Sequence, residues 1–291
     1  MAARVCVVGS VNEDRTYTVD ALPQPGQTVL ASAVATSPGG KGANQAIAAA
    51  RAGAAVQLVA ALGTDAAAQQ LRNHLHTNGV GLAGVIQVPG PSGSATIMVD
   101  SGAQNCIVVA PGANAHLSLS TAAIRAVIAD SDVVLIQLEI PIDTAATAAR
   151  VGRDAGALVI VNASPAARLD DLAALADLAD IVVVNETEAH DWLADGHAQA
   201  SQLVITRGAR GASLIAHGEH CDVAAPAVEP TDTTGAGDVF AGVLAAHWRD
   251  GAERALRRAC AAGALATLVH GAGNCAPDAE AVDDILEAPC P

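Results

Sequence analysis

Aromatic residues are nearly missing from this 291-residue chain: Tyr17, Trp192, Phe240 and Trp248 are the whole set. That scarcity argues against base-stacking platforms for single-stranded nucleic acid. Basic residues are few as well. Fifteen Lys and Arg stand against thirty Asp and Glu, a net charge of −15, which disfavours a binder of nucleic-acid backbones. A nucleotide substrate stays admissible, because backbone amides and a divalent cation can hold its phosphates. No run reaches the ~18 apolar residues of a membrane span. The apolar start Val5-Cys6-Val7-Val8 is too short for a secretion signal. The six cysteines (Cys6, Cys106, Cys221, Cys260, Cys275, Cys290) form no CxxC pair and no zinc spacing. A chain this long needs no disulfide staples. The expectation is a soluble cytoplasmic protein with reduced thiols, no nucleic-acid partner and no membrane partner.

What is present is apolar and small. Hydrophobic residues make up 51% and charged residues 15%, the composition of a compact chain with a substantial core. Short β-branched runs recur at Arg4–Gly9, Val56–Ala61, Val133–Gln137, Ala157–Val161, Ile181–Val184 and Leu203–Thr206. Ala-rich helical stretches lie between them at Ala43–Ala52, Ala66–His76, Thr144–Asp154 and Glu186–Ala194. Continuously apolar strands in a βαβ rhythm imply an α/β fold with a mostly parallel sheet covered on both faces. The last third reads as helices over Val239–Trp248, Ala252–His270 and Asp278–Glu287.

Two regions break that rhythm. Tyr17–Ala35 contains a Pro/Gly stretch and then the alternating Thr28–Thr36, and Ala95–Val109 reads as a hairpin about Gly102. Neither fits a parallel crossover. Together, over about 16–35 and 95–109, they predict a small extra β-sheet. Such a flap is too slight to stand alone, so it closes over a ligand or pairs with a second subunit. With no repeat and no low-complexity linker, the organisation expected is one α/β domain over 1–291 plus this lid.

Three segments carry chemistry. In Asp232-Thr233-Thr234-Gly235-Ala236-Gly237-Asp238 a glycine turn opens an apolar helix. Unpaired N–H groups and the helix dipole make such a start a receptor for an anion. The carboxylate of Asp238 there implies a cationic or proton-bearing group between it and the anion, such as an acceptor hydroxyl, or else a plain N-cap. Gly39-Gly40-Lys41-Gly42-Ala43-Asn44-Gln45 is a second glycine turn opening a helix. It lacks P-loop spacing; Lys41 and Asn44 suit a polyol, or the segment is a tight strand-to-helix turn with a solvated lysine. After the first strand, Asn12 and Asp14 project to one side of an extended segment and form a diol-binding pair or a turn cluster. Glu139, Asn185, Glu188 and the turn Thr206-Arg207-Gly208-Ala209-Arg210-Gly211 each follow a strand. Asn185 with Glu188 reads equally as a Mg²⁺ or phosphate site and as a helix cap.

The order of these segments, from Asn12 and Asp14 through the Gly39–Gln45 box, Glu139, Asn162-Ala163-Ser164-Pro165-Ala166 and Asn185–Ala189 to Asp232–Asp238, resembles the ribokinase family of PfkB-type carbohydrate kinases. The resemblance runs from about Arg4 to Pro277. It implies a ribokinase-like three-layer α/β/α fold and ATP-dependent phosphorylation of D-ribose at the 5-hydroxyl. By that likeness Asp238 is the base, with Gly235, Ala236 and Gly237 as the anion hole. Asn12, Asp14, Gly40, Lys41, Gly42, Asn44 and Glu139 hold the sugar. Asn185, the turn Thr206–Gly211, Gly237 and Cys260 hold ATP, with Glu188 on the Mg²⁺ side. A K⁺ activator falls to Asp232, Thr234, Ala266, Val269, Gly271 and Cys275, and a homodimer forms through the lid strands. Three positions depart from the family pattern. Cys275 replaces a serine hydroxyl and is a poor potassium ligand, Cys260 replaces a histidine beside the adenine, and Arg207 replaces a small or apolar residue in the ATP turn. Other sugar or nucleoside kinases of the same family are the nearest rivals, with a non-catalytic sugar-binding regulator behind them. A dinucleotide oxidoreductase fails for want of GxGxxG after the first strand.

Overall fold

The computed structural model describes residues 2–102, 104–165, 175–189 and 201–288. Ala166, Trp192, Cys290 and the part of the expected Glu186–Ala194 helix beyond residue 189 lie outside them. The apolar runs become a sheet of nine strands: β1 (Arg4–Val8), β4 (Ala55–Leu62), β5 (Gly81–Gln87), β8 (Val133–Gln137), β9 (Leu158–Asn162), β10 (Ile181–Asn185), β11 (Gln202–Thr206), β12 (Ala212–Ala216) and β13 (Glu219–Val223). Their order is β13-β12-β11-β10-β9-β8-β1-β4-β5. Pairing is parallel from β5 to β11, and the edge pairs β11–β12 and β12–β13 are antiparallel.

Alternate residues of the inner strands enter different cores, which is why those runs are apolar without a break. Val5 and Val7 join the cluster under α1 (Lys41–Arg51), α2 (Ala66–Thr77), α5 (Ala236–His247), α6 (Ala252–Ala266) and α7 (Ala279–Glu287). Cys6 and Val8 join the opposite cluster under α3 (Ala122–Ala129) and α4 (Ile142–Asp154). The result is three layers, α/β/α.

The sequence reading needs four corrections. Strand β5 and the β12–β13 hairpin were not anticipated, because edge strands are short of apolar residues; β13 is Glu-His-Cys-Asp-Val and largely exposed. Helix α3 was likewise unexpected. Helix α6 stops at Ala266, not His270. Its last turn closes through Thr267 Oγ1, which donates to Ala264 O at 2.7 Å, while Thr267 O accepts the N–H groups of Thr231 and Asp232.

The fourth correction concerns the lid. A four-stranded sheet exists, in the order β3-β2-β6-β7, made of β2 (Asn12–Thr18), β3 (Ala33–Gly39), β6 (Gly93–Val99) and β7 (Asn105–Ala110). β6 and β7 form the expected hairpin. The first segment is displaced, however: β2 begins at Asn12, so Asn12 and Asp14 lie on the small sheet itself, and residues 19–32 only connect β2 to β3. β2 and β6 pair in parallel, which the intervening passage through α1, β4, α2 and β5 allows.

Candidate active site

Strand order reverses at β1, from which the chain passes to β4 and β5 on one side while β8 closes the other. Ligands in open α/β sheets bind outside the carboxyl ends of the strands at such a switch point. Here Ser10, just after β1, donates its hydroxyl to Glu139 Oε2, just after β8, at 2.5 Å. Glu139 Oε2 also accepts the N–H of Lys41 at 3.2 Å, and Ser10 Oγ accepts that of Gly42 at 3.3 Å. The start of α1 is thereby tied across the crevice. Gly40 caps that helix at φ 90°, and a Cβ there would stand 2.7 Å from Asn12 N, so only glycine lets the turn lie on β2.

Asp238 is not an N-cap. The cap of α5 is Gly235, left-handed at φ 83°, and Asp238 lies in the first turn with its side chain turned across to α1. Asn44 Nδ2 donates to Asp238 Oδ2 at 3.0 Å, and Gln45 Nε2 donates to Oδ1 at 3.0 Å. Lys41 Nζ, the terminus of the chain's single lysine, stands 3.7 Å from Oδ1. The Asp238 carboxylate outweighs burial and holds the Lys41 ammonium above its ordinary value. Gln45 Nε2 also donates to Asn162 Oδ1 at 2.9 Å, and Asn162 in turn donates to Val183 O at 3.1 Å. A buried carboxylate is therefore tethered by two side-chain amides in the first turn of a helix, at the positive end of its dipole.

On the lid side, Asn12 Oδ1 accepts from Asn114 Nδ2 at 2.7 Å, and Asn114 Oδ1 accepts the N–H of Val11 at 3.0 Å. Asn12 is left with its amide donors for a ligand. Asp14 Oδ1 and Asn44 Oδ1 are buried and have no protein partner. Burial, reinforced by the charges of Glu139 and Asp238, pushes the Asp14 carboxyl up to about 7. Unsatisfied acceptors in a polar crevice mark a place for hydroxyl groups.

Along the same sheet edge, Asn185 ends β10 beside Thr206 at the end of β11. These lie three and four strands from β1, so β11 is roughly 19 Å away at ordinary strand spacing. Asn185 and Glu188 form a reciprocal cap: Asn185 N–H donates to Glu188 Oε2 at 2.9 Å, and Glu188 N–H donates to Asn185 Oδ1 at 2.8 Å. The cap alternative is thus realised, and both side chains are engaged locally. Thr206 Oγ1 donates to Val184 O at 3.3 Å. Gly208–Arg210 form a 3₁₀ turn, with Ala209 at its centre, closed by Gly211. Arg207 pairs with Asp222 of β13 at 3.2 Å, its Nε buried without a partner, and Arg210 pairs with Glu186. Cys260 is buried, its thiol facing Val223 O at 3.8 Å and pushed up to about 12 by burial.

The turn before α5 has its own geometry. Asp232 Oδ1 accepts Thr234 N–H and Oδ2 accepts Gly271 N–H, both at 2.9 Å. Burial works to raise this carboxyl, but those bonds prevail and hold it low. Ala236 N–H turns to Thr233 O at 3.3 Å, and Ala266 O accepts Val269 N–H at 3.3 Å. Cys275 Sγ lies 3.2 Å from Ala272 O and 3.9 Å from Thr234 O. Burial, then the charge of Asp238, pushes that thiol up to about 11. Among the described residues no cluster of three or more His, Cys, Asp or Glu is arranged for a metal ion.

Sequence reasoning gave no role to Ser10, Gln45, Asn114 or Asn162. Gln45 and Asn162 lay inside quoted motifs; Ser10 and Asn114 act only through long-range contacts.

A carboxylate at a helix start beneath a small β-sheet, on a parallel sheet of this order, defines a ribokinase-like fold. The solved ribokinase of Arabidopsis thaliana, complexed with ribose and ATP, superposes with a TM-score of 0.89 at 31% identity, covering 99% of this chain and 100% of that one. The pattern of the pfkB family of carbohydrate kinases matches residues 2–279, and the chain belongs to that family. It is 36% identical to the ribokinase of Bacillus subtilis, over 97% of this chain and 99% of that protein. It is also 30% identical to the deoxyribokinase of Salmonella typhi, over 97% and 98% respectively. The protein is a carbohydrate kinase.

Proposed function

We propose that this kinase phosphorylates D-ribose at the 5-hydroxyl with ATP, giving D-ribose 5-phosphate and ADP. The observation that carries the reading is the buried Asp238 carboxylate, held by Asn44 and Gln45 at the start of α5 with unsatisfied acceptors beside it. The relatives add support, since the B. subtilis protein is a ribokinase and the A. thaliana structure holds ribose and ATP.

In this mechanism Asn12, Asp14, Asn44 and Glu139 hold the ring hydroxyls, with Lys41 and the backbone of Gly40 and Gly42 closing the pocket. The 5-oxygen attacks the γ-phosphorus, the bond from that phosphorus to the bridging oxygen of ADP breaks, and the proton passes to Asp238. The transition state is loose, so positioning and charge stabilisation dominate. A loose transition state leaves the proton on the attacking oxygen until the new bond is nearly complete, so Asp238 receives it late. The N–H groups of Gly235 and Gly237 at the start of α5 receive the moving phosphoryl group, and that of Ala236 joins them on leaving Thr233 O. Nucleotide lies along Asn185, Thr206–Gly211 and Cys260.

Magnesium keeps most of its waters and takes few protein ligands; Glu188 is the carboxylate on that side and would meet it through water. It supplies neutralisation of phosphate charge. An alkali cation would find hard oxygens at Asp232 and at the carbonyls of Thr234, Ala266, Val269 and Gly271. The protonated thiol of Cys275 adds no ligand to that set.

The deciding assay is ADP release over a panel of sugars with ATP and Mg²⁺, with and without K⁺. Ribose should lead 2-deoxyribose and fructose; a reversed order would assign the chain with the deoxyribokinase relative. Asp238→Asn should keep the fold and ribose affinity while lowering kcat by about 10²–10⁴-fold. Near-normal turnover would remove Asp238 as the base.

A further inference from the structure

Residues 271–276, following α6, form a loop that is gripped from two sides. Behind it, Arg51 at the end of α1 donates from Nη1 to Asn274 O at 3.3 Å and to Ala276 O. Arg51 is itself fixed by Asn78 Oδ1, which accepts from Nε at 3.2 Å and from Nη2 at 2.7 Å. His74 of α2 bonds Gly273 O through Nε2 at 3.2 Å. A carbonyl has no proton to give, so Nε2 carries the hydrogen. Burial holds the ring below its ordinary value, assisted by the Arg51 charge, and the neutral donor therefore persists at neutral pH.

In front, the same loop meets the catalytic turn. Gly271 N–H donates to Asp232, whose other oxygen orders Thr234. A Cβ on Gly235 would stand 2.7 Å from Ala272 Cα and 3.1 Å from Cys275 Sγ, and one on Gly273 would stand 2.1 Å from Pro38 O of β3. No slack remains between the loop, the turn that opens α5 and the foot of the lid.

We infer that Arg51 and His74 are positioning residues for phosphoryl transfer. They fix the carbonyls of Gly273, Asn274 and Ala276, and the loop so fixed sets the distance between the turn Asp232–Gly235 and the lid strand β3. Neither side chain is among those that hold Asp238 or the proposed sugar ligands. The inference rests on the phosphoryl-transfer reading of α5. Misplacement by an ångström costs about a hundredfold in rate in a site of this kind, whereas sugar ligands on β2 and α1 would keep their places.

The test uses the full-length enzyme with Arg51→Met, His74→Leu and the pair, against Arg51→Lys and His74→Gln, which retain a donor. With ribose and ATP well below the melting temperature, the Met/Leu pair should lose kcat by about tenfold or more while sugar KM stays within about threefold. The Lys and Gln variants should recover most of that loss. Without substrate, amide exchange of Thr234 and Gly271 should quicken by about tenfold in the pair, with β8 and β9 unchanged. Unchanged kcat in a folded pair, a loss confined to KM, or unaltered exchange at Thr234 and Gly271 overturns the inference. If the parent enzyme does not phosphorylate ribose, the proposed function fails, and the exchange measurement alone then decides the loop.

Discussion

At the scale of single residues the site is a contest among carboxylates. Asp14, Glu139 and Asp238 share one crevice with one lysine, and the burden falls on Asp14, which burial and its neighbours push up to about 7. A protonated carboxyl offers one acceptor fewer to a diol, so sugar affinity should weaken as pH falls through 7. We expect KM for ribose to be about tenfold higher at pH 6 than at pH 8, and Asp14→Asn to raise KM and flatten the profile. The linkage has a definite sign. The unfolded Asp ionises near 3.8 and the folded one near 7, so the unfolded chain binds fewer protons between those values. The ligand-free protein therefore loses stability from this group as pH rises from about 4 to about 7. Thermal melts of the parent and of Asp14→Asn over that range check the slope. Asp238 was legible in the sequence because a glycine turn opening a helix is a local signal. Its holder Gln45 and the anchor Asn162 were not, since they meet only through contacts spanning more than a hundred residues.

At the scale of elements, the small sheet is the least self-sufficient part of the molecule. Every residue of β7 is exposed, with Ile107 and Val109 alternating with Val108 on the two faces of an unpaired edge. Natural sheets seldom leave such an edge bare, and a second copy of the chain is the occupant we propose. Light scattering should report a dimer, and Val108→Lys with Ile107→Lys should give a monomer that still binds ATP; a monomeric parent would refute it. Ribose should slow amide exchange across 12–39 and 93–110 as the lid closes. Periodicity revealed the β6–β7 hairpin and the existence of a second, small sheet. It misjudged where β2 begins, because Asn12-Glu13-Asp14-Arg15 carries the polar pattern of a loop and is a strand only through pairing with Gly39–Thr36 and Gly93–Thr96.

At the scale of the whole molecule, the two cores shelter three of the five cysteines among the described residues. Burial pushes Cys6 and Cys260 up to about 12 and Cys275 up to about 11, while Cys106 on β7 is exposed. Iodoacetamide at neutral pH should therefore alkylate Cys106 in the native protein and reach Cys6, Cys260 and Cys275 only after denaturation, as peptide mass spectrometry would show. Prompt native labelling of Cys275 would contradict its burial beside the turn that opens α5. No helix among the described residues is long and apolar enough to cross a membrane. The amino-acid sequence by itself determined the alternation of buried strands and Ala-rich helices, the two glycine turns that open helices, and the carboxylate set beside the second. These are local, because backbone freedom, apolar runs and helix starts are written within about ten residues of chain. Only the tertiary structure decided which strands neighbour β1, which amides hold Asp238, and which side chains grip the 271–276 loop. Those are choices of packing: sheet order and the burial of polar groups bring together residues whose separation along the chain carries no sign of their meeting.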